Sequence, residues 1–122
     1  MYFLQQKSDA CDAFKRFKAL VENQSERSIK TVRTDRGTEY VVCDGFLQKH
    51  GINHQLTARY TPQQNGVVER KNRTVMDMVR CMLHLKKLPK GFWGDAIACA
   101  FYQLNRCPTS SVLGKTPQEA WT

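Results

Sequence analysis

The sequence predicts an α/β fold that becomes wholly helical in its second half. Two short runs of strand type, Ile29 to Thr34 and Ile52 to Leu56, each follow a segment whose apolar residues recur at helical spacing. From Gly66 onward the apolar pattern is helical, broken at Leu88-Pro89-Lys90-Gly91 and stopped by Pro108. With 41% hydrophobic and 25% charged residues among 122, the composition is that of one modest globular domain.

Taken in order, Tyr2, Phe3 and Leu4 read as the end of a strand. Ser8 is a suitable N-cap, with Asp9 and Asp12 in the first turn where the helix dipole favours them. Ala10, Phe14, Phe17 and Val21, with Ala13 and Leu20 beside them, give an amphipathic helix to about Asn23 that packs on a sheet. The strand from Ile29 to Thr34 runs into the turn Asp35-Arg36-Gly37. A short helix around Phe46 and Leu47 ends at Gly51 as C-cap, and a second strand follows to Leu56. Residues 57 to 65 form a polar loop. The helix from Gly66 to about Leu85 buries Val68, Val75, Val79, Met82 and Leu83, and the next, from Phe92 to about Asn105, turns Trp93, Ile97, Ala100, Phe101 and Leu104 to one side. Thr116-Pro117-Gln118-Glu119 starts a last helix, with Thr116 as cap, proline at the first position and Glu119 closing a capping box. There is no internal repeat or linker, so residues 1–122 read as a single incomplete domain whose two ends look cut.

A formal net charge of +8 points to a polyanionic partner. Residues 69 to 90 supply five of those charges, seven basic residues against Glu69 and Asp77. Acidic membranes are the competing partner, but no run approaches the roughly 20 apolar residues of a spanning helix, so nothing is expected to cross a bilayer. Cysteines 11, 43, 81, 99 and 107 have no CxxC or zinc spacing and read as reduced, mostly buried thiols. His50, His54 and His84 are scattered and read as incidental.

The chemistry concentrates in Tyr60-Thr61-Pro62-Gln63-Gln64-Asn65-Gly66-Val67-Val68-Glu69-Arg70-Lys71-Asn72. The proline enforces an extended entry, Asn65 caps a helix start, and Glu69 falls in its first turn with cations directly behind. A carboxylate that holds a metal beside cations that hold a polyanion suits a nucleic-acid active site. The plainer reading makes Glu69 and Arg73 an i,i+4 ion pair. Asp35, past the carboxyl end of a strand, stands where open α/β sheets gather ligands, though Asp before a glycine turn is also common punctuation.

Together these segments resemble the integrase core of copia-type LTR retrotransposons, itself similar to retroviral integrases and other RNase H-like polynucleotidyl transferases. The resemblance rests on Tyr2-Phe3-Leu4, Phe14 to Lys18, Arg33-Thr34-Asp35, Gly37, Glu39-Tyr40, His50-Gly51-Ile52, Tyr60 through Arg73, Phe92-Trp93, Asn105 to Thr109 and Thr116 to Trp121. It implies a partial RNase H-like fold, a mixed sheet lacking its first strands, flanked by helices and with a helical C-terminal part. It also implies DNA integration chemistry: 3′-end processing and strand transfer by three carboxylates holding two divalent metals, Mg2+ or Mn2+. Asp35 is then the second aspartate and Glu69 the glutamate. Gln63, Gln64 and Asn65 correspond to a polar DNA-end loop, and Arg70, Lys71 and Arg73 to backbone-phosphate contacts. Expected partners are element-end and target DNA, a further copy of the chain or an upstream polyprotein segment. The expected place of action is the nucleus.

The chain also departs from that family. The first aspartate belongs on a strand upstream of Tyr2, and a zinc-binding segment precedes such cores. Only 33 residues, 36 through 68, separate Asp35 from Glu69. The shortfall lies between Glu39 and Gly51, and Arg36, Thr38 and Arg59 replace the family's Asn, Gly and Pro. These departures imply a chain that does not catalyse alone. Two alternatives have other chemistry: a non-catalytic nucleic-acid-binding module built on the cations, and a protein-interaction fragment anchored by Trp93 and Trp121.

Overall fold

The computed structural model describes residues 1–37, 41–57 and 62–122, the last segment with side chains from Gly66 onward. The chain packs as two compact units, residues 2–66 and residues 67–122, Met1 grouping with the second.

In the first unit, α1 (Ala10–Ser25) is followed by β1 (Thr31–Thr34), α2 (Asp44–Lys49) and β2 (Asn53–Leu56). The strands pair in parallel, Thr31 opposite Asn53 through Thr34 opposite Leu56. A parallel pair needs a crossover, and α2 supplies its helix. Alternation decides which residues face inward. Val32, Thr34 and His54 are half-buried, whereas Thr31, Arg33, Asn53 and Gln55 are exposed. The inner face meets a core of Cys11, Cys43, Leu47 and Ile52, with Phe14, Ile29, Val32 and Phe46 packed against it.

Gly51 ends α2 as expected. It adopts φ +67°, while its N–H donates to the Gln48 carbonyl (3.1 Å) and that of Ile52 to the Leu47 carbonyl (2.9 Å). That is the paired bonding of a left-handed helix end, which glycine enters without a Cβ penalty.

The second unit begins within α3 (Pro62–Leu85) and continues through α4 (Trp93–Arg106) to α5 (Pro117–Trp121). Val75 and Val79 of α3 pack with Ala96, Ile97 and Ala100 of α4, flanked by Met78, Met82, Leu83, Phe101 and Leu104. The α5 capping box forms as read: the Thr116 N–H donates to Glu119 Oε2 (2.7 Å), and the Glu119 N–H to Thr116 Oγ1 (3.3 Å). The Thr116 N–H, and beside it the Thr116 hydroxyl at 2.9 Å, donate to the Glu119 carboxylate and hold it below its ordinary value.

Several expectations are corrected. Tyr2, Phe3 and Leu4 are exposed and form no strand. A β-prone run needs a partner edge, and none pairs with it among the described residues. Ser8 is not the cap of α1. A 3₁₀ turn, Lys7–Asp9, precedes the helix, the Gln6 N–H donates to Asp9 Oδ2 (3.1 Å), and the Ser8 hydroxyl donates to Gln6. Phe17 and Leu20 stay exposed, because two strands about 4.8 Å apart cannot cover the whole apolar face of a helix about 10 Å wide. Val68 is 59% exposed rather than part of the buried stripe, which starts at Val75. Trp93 is likewise 45% exposed.

The cysteines differ from the reading of reduced, buried thiols. Cys11 and Cys43, with Cα atoms 5.5 Å apart, are joined in a disulfide, and Cys81, Cys99 and Cys107 are free and exposed. Pairing across 32 residues is set by the packing of α1 against the approach to α2, which no cysteine spacing reveals.

Candidate metal and nucleic-acid site

Asp35 directly follows β1, on the same alternation as exposed Arg33. Its carboxylate is exposed, and Oδ1 accepts the Gly37 N–H at 3.0 Å. The strand end is tied down around it. The Thr57 N–H donates to the Thr34 carbonyl (3.0 Å), and the Arg36 guanidinium donates from Nε to the Thr57 carbonyl (3.3 Å). The Thr34 hydroxyl donates to the Asp35 carbonyl at 2.9 Å. The turn expected at Asp35-Arg36-Gly37 is therefore present, and among the described residues no donor bonds Oδ2.

Glu69 lies on α3 and is exposed, as are Arg70, Lys71 and Arg73. The helix begins at Pro62, four residues before the expected start at Gly66, so Asn65 lies inside it and not at its cap position. Proline at the first helical position suits the turn, since its missing N–H has no intrahelical partner there. Glu69 is then the eighth residue, about 10 Å along the axis and beyond the first turn where the dipole acts. No ion pair joins Glu69 to Arg73 among the described residues. The side chains of Gln63, Gln64 and Asn65 lie outside the described residues, as do Thr38, Glu39, Tyr40, Arg59, Tyr60 and Thr61.

Farther along α3 the basic character continues. Arg80, Leu83, His84, Lys87, Leu88 and Lys90 line an open cavity of about 750 Å3. Arg80 is held by Asp77 at 3.1 Å. Lys87 occupies the left-handed position after the helix, φ 49°, with its N–H donating to the His84 carbonyl and that of Leu88 to the Leu83 carbonyl. This is the place glycine takes in α2.

Asp44 and His54 were not read from the sequence as site residues. The His54 ring lies between the Asp44 carboxylate, at Nδ1, and the Thr34 hydroxyl, 2.7 Å from Nε2. A signal for this was available. Ile52 and His54 are two apart on a strand, so both face the core, and an inward imidazole requires polar partners.

Oxygen donors of the Asp35 and Glu69 type suit magnesium. The described residues, however, bring no three His, Cys, Asp or Glu side chains together as a metal cage. The donor chemistry fits, and the donor number does not reach a complete site.

Comparison with known proteins gives this geometry its class. The chain superposes on the HTLV-2 integrase catalytic core domain in complex with magnesium (trimeric form), with a TM-score of 0.67 over 98% of this chain and 72% of that one, at 20% identity. It also superposes on a chain of the simian T-cell lymphotropic virus intasome in complex with the PP2A regulatory subunit B56 gamma, with a TM-score of 0.72 over 97% and 41%, at 20% identity. The fold is that of an integrase catalytic core, RNase H-like and present here in part. By sequence, the chain is 42% identical over its whole length to the retrovirus-related Pol polyprotein from transposon TNT 1-94 of Nicotiana tabacum. It is 39% identical over 96% of its length to the Pol polyprotein from transposon RE2 of Arabidopsis thaliana. The chain's homologues are thus Pol polyproteins of copia-type transposons, and its structural neighbours are integrase catalytic cores. The chain spans 9% and 8% of those two relatives. No protein-family model matches it. No helix among the described residues is long and apolar enough to cross a membrane.

Proposed function

We propose that this chain is a single, incomplete integrase catalytic core that binds DNA through α3 and does not catalyse by itself. The observation that carries the reading is Asp35 itself: a carboxylate held by the Gly37 N–H with one oxygen open, in a chain with the fold of integrase cores. By the family likeness, Asp35 in the first unit and Glu69 in the second are each a carboxylate that would bind Mg2+ or Mn2+. A bound pair of such ions supplies an activated oxygen nucleophile and steadies the leaving oxygen in phosphodiester chemistry. A third carboxylate must come from outside the described set, from a further copy of the chain or from an upstream polyprotein segment. What the chain's own residues do is bind and orient. Arg70, Lys71 and Arg73 meet backbone phosphates of element-end or target DNA, and Gln63, Gln64 and Asn65 line its approach. Work on chromosomal DNA places the action in the nucleus.

The test is a nicking and joining assay on a short duplex with Mg2+ or Mn2+, run beside duplex binding at several salt concentrations. The expected outcome is no joining by the parent chain or Glu69→Gln, with salt-sensitive binding. Replacing Arg70, Lys71 and Arg73 together by Ala should lower the slope of log K against log salt by roughly 2.7, three phosphates at about 0.9 each. Joining that is lost in Glu69→Gln would show a complete site and overturn the inactive reading. Binding indifferent to salt would overturn the DNA reading altogether.

The second reading, a binding module without chemistry, is favoured by the cations that continue past the Glu69 region to Lys90. It predicts the same salt slope with no effect of Asp35→Asn on metal binding.

A further inference from the structure

We propose that Asp44, His54 and Thr34 form an inward hydrogen-bonded chain that positions Asp35, making His54 and Asp44 positioning residues of the candidate site. This deepens the reading of Asp35 as a metal-holding carboxylate and rests on it.

The chain links three elements. Asp44 is the first residue of α2, His54 lies in β2, and Thr34 is the last residue of β1. The His54 side chain is only 11% exposed, against 41% for Asp44, so the ring is the inner member and the carboxylate its solvent end. The Asp44 carboxylate meets Nδ1 and the Thr34 hydroxyl lies 2.7 Å from Nε2, so the ring plane is fixed between the two. That hydroxyl reaches the Asp35 carbonyl at 2.9 Å. The register explains why these groups meet. His54 pairs with Val32, so Thr34 is its diagonal neighbour two residues on, along the same face.

The location gives the chain its consequence. β1 has four residues and, among the described residues, a single partner strand, so its last residue is prone to fray. Beyond Thr34 one ladder bond remains, from the Thr57 N–H. The polar chain holds the strand end from the inner side, while the Gly37 N–H holds the Asp35 carboxylate on the outer side. Fixed at its carbonyl and at Oδ1, Asp35 presents Oδ2 in one direction. An exposed carboxylate without such a hold samples several rotamers, and a ligand must then order it on binding. A histidine that merely satisfied its own burial would stabilise the whole unit and leave Asp35 no more ordered than its neighbours.

The two roles separate by hydrogen exchange on the full chain, reading the Gly37 amide against the Asn53 and Thr57 amides of the sheet. Thr34→Val keeps the shape and removes the hydroxyl. Thr34→Ser keeps the hydroxyl, and His54→Gln shortens the chain from its other end. The expected result is Gly37 exchange about tenfold faster in Thr34→Val and in His54→Gln, the loss of one hydrogen bond, with Asn53 and Thr57 far less changed and Thr34→Ser close to the parent. Gly37 exchange that is unchanged, or that rises by the same factor as the sheet amides, overturns the proposal. Manganese alone, titrated into the parent chain and Asp35→Asn, tests the reading underneath it. Broadening at residues 35 to 37 in the parent and not in the variant supports Asp35 as ligand. No broadening in the parent overturns the metal reading and with it the positioning role, even where the exchange data show an intact clamp.

Discussion

Glu22 shows how much one side chain can do in a small unit. Its Oε2 meets Lys18 Nζ at 2.6 Å, and its Oε1 accepts the Ile29 N–H at 2.8 Å, so the carboxylate ties the last turns of α1 to the approach to β1. The Lys18 bond first, then the Ile29 bond, hold its carboxyl below the ordinary 4.5. A lowered folded value means that the stabilisation is fully present above 4.5 and is lost as pH falls through the folded value. Glu22→Gln should therefore destabilise the first unit near neutral pH and shrink its acid-induced loss of stability, read from urea melts at pH 7 and at pH 3. Lys18–Glu22 is an i,i+4 pair visible in the sequence, but the Ile29 partner, seven residues on, is not. Asp35 and His54 divide in the same way. Asp35 could be singled out from its motif and its place after a strand, whereas the Asp44–His54–Thr34 chain needs the register of β1 on β2.

At the scale of elements, two helix ends make a matched pair. α2 ends in Gly51 at φ +67° and α3 in Lys87 at φ 49°. No atom lies within 4 Å of a Cβ built on Gly51, so Gly51→Ala costs only the left-handed backbone, about 1 kcal/mol by chemical denaturation. Lys87→Gly has the opposite sign. Relief of about 1–2 kcal/mol of left-handed strain outweighs the roughly 0.4–1 kcal/mol by which glycine loosens the unfolded chain. The variant should melt higher and bind duplex DNA more weakly. A gain in stability with no loss of binding would show that the basic cavity at the end of α3 meets no phosphate. Element types and most ends were legible: α2, its glycine stop, both strands, α4 and the capping box of α5 follow from periodicity and punctuation. The start of α3 differs from the expected Gly66 because Pro62, which favours an extended residue before it, fits equally well at the first helical position.

For the molecule as a whole, the two units rest on different ties. The second buries a continuous apolar stripe between α3 and α4. The first has a small core under a two-stranded sheet, and the Cys11–Cys43 disulfide joins its α1 to the start of α2. Closing a loop of 32 residues is worth roughly 3–4 kcal/mol through the unfolded chain, a large share of what so small a unit holds. Replacing both Cys11 and Cys43 by Ser, or adding reductant, should unfold residues 2–66 at markedly lower temperature. Amide exchange in α3 and α4 should stay nearly unchanged. Loss of both units together would show that they fold as one.

The sequence by itself determined the α/β class, the helical second half, the basic character and the candidate pair Asp35 and Glu69. Those features depend on residue type, local period and motif, which the chain carries whatever its packing. The tertiary structure alone decided which cysteines pair, that Val68 and Phe17 stay exposed, and that His54 reaches from Asp44 to Thr34. Each of these depends on which elements pack together and in which register strands pair, distances set between residues far apart in the chain.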